Sequence, residues 1–344
     1  MNYTFESLAL NKKEAMNEQK IIWENLNEVT INYLRDTSDI PITVVNKSAV
    51  SLADWMAANR QVISDVLAEQ GAILFQGFDI HEPEQFDEAF TAFCGRTEEY
   101  MNQTSPRSKV FKNVYTSTNQ PSDQQILMHT ENSYASTWTR FIAFCCLEPA
   151  LEGGATPIAD ERKLIEFLKP ETVNKFREKQ VMYVRNLMLG AGLDWQTTFQ
   201  TDDKNEVNEL LRKDGVEAEW ISEDHLRTRW VLPAFHEHPV TGEQVWFNHM
   251  YFYHKSHYNP EVIEYFEEEN LPFTSYYGDG SEIEADVIQE INDFYANHAI
   301  VRPWNKGDVL LLDNMLYSHG RNSYKGNRKV LAAMASPVHV AIAH

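Results

Sequence analysis

Cysteine is scarce in this sequence. Only 3 cysteines occur among 344 residues, and two of them, Cys145 and Cys146, are adjacent in an apolar run. Together with Cys94 they show neither the paired spacing of a zinc site nor that of a disulfide framework. We therefore predict that Cys145 and Cys146 are small buried side chains and that the protein works in a reducing compartment.

Long hydrophobic runs are also missing. No apolar stretch approaches the roughly 20 residues that a membrane-spanning helix needs. The N-terminal segment lacks the basic stretch and apolar block of a secretory signal. These absences predict a cytoplasmic protein with no membrane partner.

Basic residues are few relative to acidic ones. The chain has 30 Lys and Arg against 51 Asp and Glu, so its formal net charge is −21. A surface of this sign repels nucleic acid backbones and anionic membranes. We therefore expect no nucleic-acid partner, whereas the composition leaves a homo-oligomer open.

Apolar residues are abundant enough, at 43%, for a large buried core. Their spacing predicts a helical region over about 1–70, interrupted by a short strand at ITVVNK and including one amphipathic helix over 51–71. It also predicts a helical insertion over about 161–227. Short β-rich runs separated by turn residues follow from residue 229 onward. Because no repeat or linker is visible, we expect one domain over residues 1–344. Its fold would be mainly β, with a jelly-roll core and helical additions.

The stretch LMHTENSYAS offers two metal-binding side chains. His129 and Glu131 lie two residues apart after an apolar run, and in a strand such residues point to the same face. His319 follows a second apolar run, VLLLDNML, and precedes a glycine. Two histidines and one carboxylate that leave neighbouring positions open are the ligand set of non-haem Fe(II) oxygenases.

Spacing alone leaves other histidines open as ligands. His236 and His238 flank Glu237 before a Pro and a Thr-Gly pair, which is typical of the entry to a turn. Three more, in FNHMYFYHKSHYN, are compatible with packing or with a pocket wall: His249, His254 and His257.

Six blocks follow one another between Gly71 and Ala335: GAILFQGF, HTENSY, EGGATPIAD, HPVTGEQVWFN, YYGDGSEI and WNKGDVLLLDNMLYSHGRNSYKGNRKVLAAMA. In this order they resemble the taurine dioxygenase family of Fe(II)/2-oxoglutarate-dependent oxygenases, and within it the branch of syringomycin-biosynthesis-type amino-acid hydroxylases. The resemblance implies a double-stranded β-helix (cupin-like) core. It also implies that His129, Glu131 and His319 are the catalytic iron ligands, with 2-oxoglutarate and O2 as co-substrates.

The same resemblance assigns a 2-oxoglutarate site. Arg328, nine positions after His319, matches the family arginine that binds the distal carboxylate, and the planar guanidinium suits that partner. Thr156 matches the threonine that hydrogen-bonds the same carboxylate. Arg321 either braces the site or pairs with an acid.

Two positions bear on the substrate. Relatives of the taurine and clavaminate type carry a second arginine four residues after the first, where this chain has Ala332. Halogenating members replace the acid of the His-x-acid pair with a small residue, so Glu131 favours hydroxylation. We expect hydroxylation of an amino acid or a derivative of one in specialised metabolism. The substrate would be free, with its carboxylate held by other residues, or presented by a carrier protein.

Other functions and a set of substrate contacts complete the sequence predictions. The alternatives are a catabolic dioxygenase acting on a small sulfonate or carboxylate, and a non-catalytic β-barrel binding protein. Candidate substrate contacts lie just after the ligand pair, in the middle of the chain and after His319; they are Asn132, Tyr134, Trp195, Asn248, His249 and Arg321.

Overall fold

The computed structural model describes residues 23–24, 26–33, 39–99, 107–190 and 192–339. These residues form nineteen β-strands and ten α-helices. The strands are β1 (Val29–Tyr33), β2 (Ile42–Asn46), β3 (Ala72–Gln76), β4 (Lys109–Phe111), β5 (Val114–Thr116), β6 (Ile126–His129), β7 (Thr137–Glu148), β8 (Glu152–Gly153), β9 (Ile158–Asp160), β10 (Val181–Met188), β11 (Glu217–Trp220), β12 (His225–Leu232), β13 (Phe235–Glu237), β14 (Gln244–Trp246), β15 (Phe273–Tyr277), β16 (Val309–Asp313), β17 (Tyr317–Arg321), β18 (Tyr324–Lys325) and β19 (Lys329–His339). The helices are α1 (Leu52–Ala58), α2 (Arg60–Gln70), α3 (Pro83–Cys94), α4 (Glu161–Phe167), α5 (Pro170–Lys179), α6 (Trp195–Phe199), α7 (Lys204–Lys213), α8 (Met250–Tyr253), α9 (Pro260–Phe266) and α10 (Ala285–His298). Two 3-10 helices, Lys255–His257 and Glu268–Asn270, flank α9.

Two sheets organise the centre of the molecule. The larger has eight strands in the order β1-β2-β3-β16-β7-β19-β5-β4, and the smaller has three in the order β6-β17-β9. Within the described residues only β2 and β3 pair in parallel, and no strand pairing joins the two sheets into a closed barrel. This arrangement corresponds to the jelly-roll core that the sequence predicts, with the sheets left open at their edges.

The long strand β7 shows why the large sheet is buried on both faces. Phe141 and Cys145 belong to the cluster that packs under α1, α2 and α3, whereas Ile142 and Cys146 belong to the cluster between the two sheets. Alternating side chains of a strand point to opposite faces, and here both faces are apolar. Cys145 and Cys146 are therefore fully buried, which confirms their predicted role as packing residues.

The N-terminal region is less helical than predicted. Part of residues 1–70 lies outside the described residues, but β1 and β2 form an antiparallel pair at the edge of the large sheet. The two segments, VTINY and ITVVN, are rich in β-branched residues, which favour strands. The prediction of a helical region is therefore wrong for VTINY, whereas ITVVN forms the short strand that the sequence predicts at ITVVNK.

The amphipathic helix predicted over 51–71 is present but divided in two. Ser51 caps α1 by accepting a hydrogen bond from the Asp54 amide, and Gly71 ends α2 in a left-handed conformation. Between them, Asn59 interrupts the helix because its side chain accepts a hydrogen bond from the Glu24 amide and donates one to the Trp55 carbonyl. Ser51 and Gly71 therefore predicted the two ends of the helical segment correctly. The contact between Glu24 and Asn59 is long-range, and no local sequence pattern indicates it.

The helical insertion predicted over 161–227 is also partly wrong. It contains α4 to α7, but β10, β11 and the start of β12 lie within it and form a four-stranded sheet with β15. In β10, Val181 and Tyr183 are fully buried in a cluster with residues of α5 and α10. The charged segments between these strands have helical spacing. The apolar runs of the strands are shorter, so the whole region was predicted as helical.

No helix in the described ranges combines the length and the apolar character that crossing a membrane requires. This finding agrees with the short apolar runs of the sequence.

We predict that Gly71→Ala destabilises the protein by about 2–5 kcal/mol. Gly71 has φ +79°, and an added Cβ would lie 2.4 Å from the buried ring of Tyr317 and 3.2 Å from Leu316. Gly95→Ala is a matched control, because Gly95 ends α3 with φ +81° and has open space around the same position. The control should lose only about 1–2 kcal/mol, measured for both variants by urea unfolding. Equal losses would show that the contact with Tyr317 is unimportant.

Candidate metal centre

The pairing of β6 with β17 brings the two predicted histidine ligands together. His319 lies opposite His129 in the antiparallel register, and their ring centroids are 4.5 Å apart. Glu131 follows β6 in a turn rather than in the strand, and its Oε2 lies 3.9 Å from His319 Nε2. The ligand atoms of the three residues all lie within 4.8 Å of one another. They form the only such group of three metal-binding side chains within the described residues.

Asn314 holds the backbone of Glu131 in place. Its side-chain oxygen accepts a hydrogen bond of 2.7 Å from the Glu131 amide, and its Nδ2 donates to the carbonyls of Glu131 (2.9 Å) and Thr139 (2.8 Å). Asn314 is fully buried just after β16, in the LLLDNML run that precedes His319. One amide side chain therefore links the carboxylate ligand to the segment that leads into the second histidine.

Both histidines are electrically neutral in this environment. Burial is the main cause that lowers the pKa of His129, and burial together with the nearby His129 and Arg107 holds the pKa of His319 well below its usual value. His129 Nδ1 lies 2.8 Å from the Leu127 carbonyl, and because a carbonyl can only accept, this nitrogen carries the proton. His129 Nε2 is therefore left with its lone pair, as a metal ligand requires.

Arg107 is a member of the site that the sequence prediction missed. Its Nη2 lies 2.6 Å from Glu131 Oε2, and both side chains are 5% exposed. Arg107 precedes β4 in a polar stretch, and it follows neither an apolar run nor any motif. Its role becomes visible only when the fold brings it to Glu131.

Arg328 and Thr156 lie together at another part of the site. Arg328 donates hydrogen bonds to the Gly154 carbonyl (2.9 Å), to Ser117 Oγ (3.3 Å) and to Thr156 Oγ1 (3.4 Å). Trp304 Nε1 donates to the same hydroxyl at 3.1 Å. Burial lowers the pKa of Arg328 to about 10, with a contribution from Arg321, so the guanidinium remains charged at neutral pH.

One cavity of about 480 Å³ connects the three metal-binding side chains with Arg328 and Thr156. Of the predicted substrate contacts, Tyr134, His249 and Arg321 line this cavity. Arg321 donates hydrogen bonds of 2.5–2.9 Å to three backbone carbonyls of the loop that leads into β6, those of Gln120, Pro121 and Gln124. Arg321 therefore braces the site, which is one of the two roles that the sequence left open.

The other three predicted substrate contacts do not line the cavity. The side chain of Asn132 accepts a hydrogen bond from Tyr134, and that of Asn248 bonds to the backbone of Ala234 and Met250. Trp195 packs in a separate cluster with residues of β10, α7 and β12. These side chains are occupied by local structure, and a contact of any of them with the substrate stays a prediction.

Four other histidines that the sequence left open as ligands lie outside the metal-binding group. His238 is fully buried and lies 3.1 Å from Asp313 Oδ2, at the turn entry that the sequence predicts. His236 packs edge-on against Trp138, and the His254 side chain caps a short 3-10 helix. His257 lines the cavity but does not belong to the metal-binding cluster.

The sequence pattern of the "Taurine catabolism dioxygenase TauD, TfdA family" matches residues 37–334. Because this match covers most of the chain, the protein belongs to that family. It is a non-haem iron, 2-oxoglutarate-dependent dioxygenase, which confirms the enzyme class that the sequence resemblance predicts.

Two relatives align over more than nine tenths of their own length. The "Dapdiamide synthesis protein DdaC" of Enterobacter agglomerans is 36% identical over 304 residues, which cover 87% of this chain and 92% of DdaC. A "Clavaminate synthase-like protein" of Arabidopsis thaliana is 28% identical over 312 residues, covering 87% of this chain and 91% of the relative.

Solved structures with low sequence identity share the fold. The PvcB protein of Pseudomonas aeruginosa superposes with a TM-score of 0.54 at 13% identity, covering 89% of this chain and 91% of PvcB. AAD-2, crystallised with Mn(II) and N-oxalylglycine, superposes with a TM-score of 0.54 at 14% identity, covering 91% of this chain and 99% of AAD-2. These similarities confirm the predicted jelly-roll fold with helical additions.

We predict that Asn314→Ala weakens metal binding about 10- to 100-fold without removing any ligand. The variant leaves the Glu131 amide and carbonyl without their buried partner, so the carboxylate loses its fixed position. Anaerobic Fe(II) titration measures the effect, and Asn297→Ala, at an exposed position of α10, is the control. Unchanged iron affinity in a folded Asn314→Ala protein would contradict the role of this contact.

Proposed function

We propose that this protein hydroxylates an unactivated C–H bond of an amino acid, or of an amino-acid-derived substrate, in specialised metabolism. The observation that carries the proposal is one cavity that joins a His-Glu-His group to a buried arginine and threonine. The first group is suited to a ferrous ion, and the second to the distal carboxylate of 2-oxoglutarate.

The donor set fits Fe(II). His129 and His319 offer neutral imidazole nitrogens, and Glu131 offers a carboxylate whose backbone is held by Asn314. When bound, iron with 2-oxoglutarate and O2 supplies the oxidising power to replace a C–H bond by C–OH, while 2-oxoglutarate loses CO2 and becomes succinate. The protein's own contribution is to fix the three ligand atoms on one side and leave the cavity side open.

Arg328 and Thr156 would orient 2-oxoglutarate. Arg328 is held by the Gly154 carbonyl and Ser117, and Thr156 by Trp304, so both groups are already in position. A guanidinium fixed in this way loses little freedom when a carboxylate binds.

Aromatic side chains form the wall beside the metal-binding group. Phe252 lies 4.9 Å from the ring of His129, and Phe144 lies 4.9 Å from the ring of His319. With Tyr134, Tyr253 and Phe273 they line the cavity on the side where a substrate's carbon chain would lie. Such a wall excludes water from the reacting C–H bond and gives an apolar chain a place to pack.

Two observations favour an amino-acid-like substrate in a biosynthetic pathway. The relative with 36% identity is named for dapdiamide synthesis. Ala332, where some family members have a second arginine, is fully buried in the cluster between the two sheets and offers no charge to a small sulfonate. Both points count against the catabolic alternative.

A succinate-release screen tests this function. The protein with Fe(II), 2-oxoglutarate and O2 is incubated with single amino acids, and in parallel with aminoacyl groups on candidate carrier proteins. Stimulated succinate release, with a product heavier by one oxygen atom, would support the proposal and would separate a free substrate from a tethered one. Stimulation only by small sulfonates would favour the catabolic function.

We predict that Glu131→Ala abolishes substrate-dependent succinate release, because the variant lacks the anionic ligand and misplaces iron. The weak visible charge-transfer band that Fe(II) and 2-oxoglutarate produce under anaerobic conditions should also be lost or shifted. Glu237→Ala, at an exposed position, is the control. Wild-type turnover in Glu131→Ala would refute the ligand assignment.

We predict that Arg328→Ala raises the 2-oxoglutarate requirement by the equivalent of about 2–5 kcal/mol, because a buried carboxylate loses its charged partner. The KM for the primary substrate should change far less. Lys329→Ala removes the neighbouring exposed charge and serves as the control. Equal effects of Arg328→Ala on both KM values would reject this role.

A further inference from the structure

We propose that Arg107 binds a carboxylate of the primary substrate, so that the substrate carries a free acidic group close to the carbon that is hydroxylated. This inference rests on the proposed function, because it needs a metal-bound, 2-oxoglutarate-dependent site. It adds the chemical class of the substrate and the residue that recognises it.

The position of Arg107 is the first argument. Its guanidinium lines the same cavity as Arg328, but its contact is with Glu131 Oε2, at the metal-binding end. Arg328 instead contacts Gly154, Ser117 and Thr156. The cavity therefore has two separate cationic groups, and 2-oxoglutarate accounts for only one of them.

The balance of charge is the second argument. Among the described residues that line the cavity, the arginines and carboxylates are Arg107, Arg321, Arg328 and Glu131, three cations against one anion. Divalent iron and dianionic 2-oxoglutarate cancel each other, so the loaded cavity remains positive. A buried excess of charge is costly, and an anionic substrate would reduce that cost.

The metal-bound state is the third argument. Arg107 contacts the same oxygen of Glu131 that lies 3.9 Å from His319, which is the oxygen on the metal-binding side. Once this carboxylate shares its charge with a divalent ion, it neutralises Arg107 less well. Arg107 would then lie next to a cation, and a second carboxylate at that point would restore the attraction.

The aromatic wall indicates how such a substrate would lie. An acid held by Arg107 would place the carbons a few bonds away beside the ligand atoms, with the rest of the molecule along Phe252, Tyr253 and Phe273. The apolar wall fits a carbon chain, and the guanidinium fits the carboxylate of a free amino acid.

Anaerobic titrations of the Fe(II)·2-oxoglutarate form test the inference. The probes are single L-amino acids and their primary carboxamides, and binding is followed by the change in the visible charge-transfer band. In the wild type, acids should perturb the band at concentrations at least tenfold below those of the matching amides. Arg107→Gln should remove most of this difference by weakening only the acids, and Arg107→Lys should restore part of it.

Controls separate recognition from a purely structural role. The iron and 2-oxoglutarate affinities of Arg107→Gln are measured first, because Arg107 contacts the ligand Glu131, and its acid and amide titrations are run on the fully loaded protein. Arg96→Gln, which removes an exposed arginine charge, should change neither these affinities nor the difference between acids and amides. Equal binding of acids and amides, or no binding of any acid, by the wild type would overturn the inference. So would an Arg107→Gln protein that binds iron and every probe more weakly by the same factor, since Arg107 would then act only as the counter-ion of Glu131. Absence of the band from the wild type would reject the proposed function and this inference with it.

Discussion

The antiparallel pairing of β17 with β6 is the constraint on which the site depends. It places His319 opposite His129, although the two positions are 190 apart in the sequence. β17 also pairs with β9 on its other edge, and one of its faces packs against apolar side chains of β7 and β16. The register cannot slip by one residue without turning His319 to the opposite face, so the packing of the sheets fixes the metal-binding geometry.

Hydrogen bonds and ion pairs of buried side chains fix the parts of the site that lie outside the sheets. Asp313 ends β16 and Asn314 follows it, and both are fully buried. Asn314 holds Glu131, whereas Asp313 pairs with Arg140 and His238. Buried polar groups are stable when they are satisfied in this way. Asn314 thereby joins the end of the large sheet to the turn that carries the carboxylate ligand.

The sequence predicts best those features whose signal is local. The buried Cys145–Cys146 pair, the cap at Ser51 and the His129–Glu131 pair are all visible in a few consecutive residues. The family resemblance then indicated which of the 12 histidines is the third ligand, His319. It also indicated Arg328 and Thr156 as the 2-oxoglutarate site.

Features that depend on long-range contacts could not be predicted. Arg107 lies in a polar stretch without a motif, and only the fold brings it to Glu131. Trp195, by contrast, resembled a substrate contact but packs against its own small cluster. In residues 161–227 the sequence missed β10, β11 and the start of β12, because charged segments with helical spacing surround them. The buried residues of β10 are stabilised by partners far away in the chain, among them β15 and α10.

The two arginines at the cavity also differ in how they are held, and this difference matches the roles that we propose for them. Arg328 is fixed by a carbonyl and two hydroxyl groups, neutral partners that keep their positions whatever binds nearby. Arg107 is held by Glu131, whose charge changes in effect when a metal binds. The distal carboxylate of 2-oxoglutarate is the same in every turnover, and a preformed site suits it. In the role that we propose, Arg107 attracts a substrate acid more strongly once a metal ion has bound Glu131. The ion pair between Arg107 and Glu131 would then make substrate binding follow metal binding.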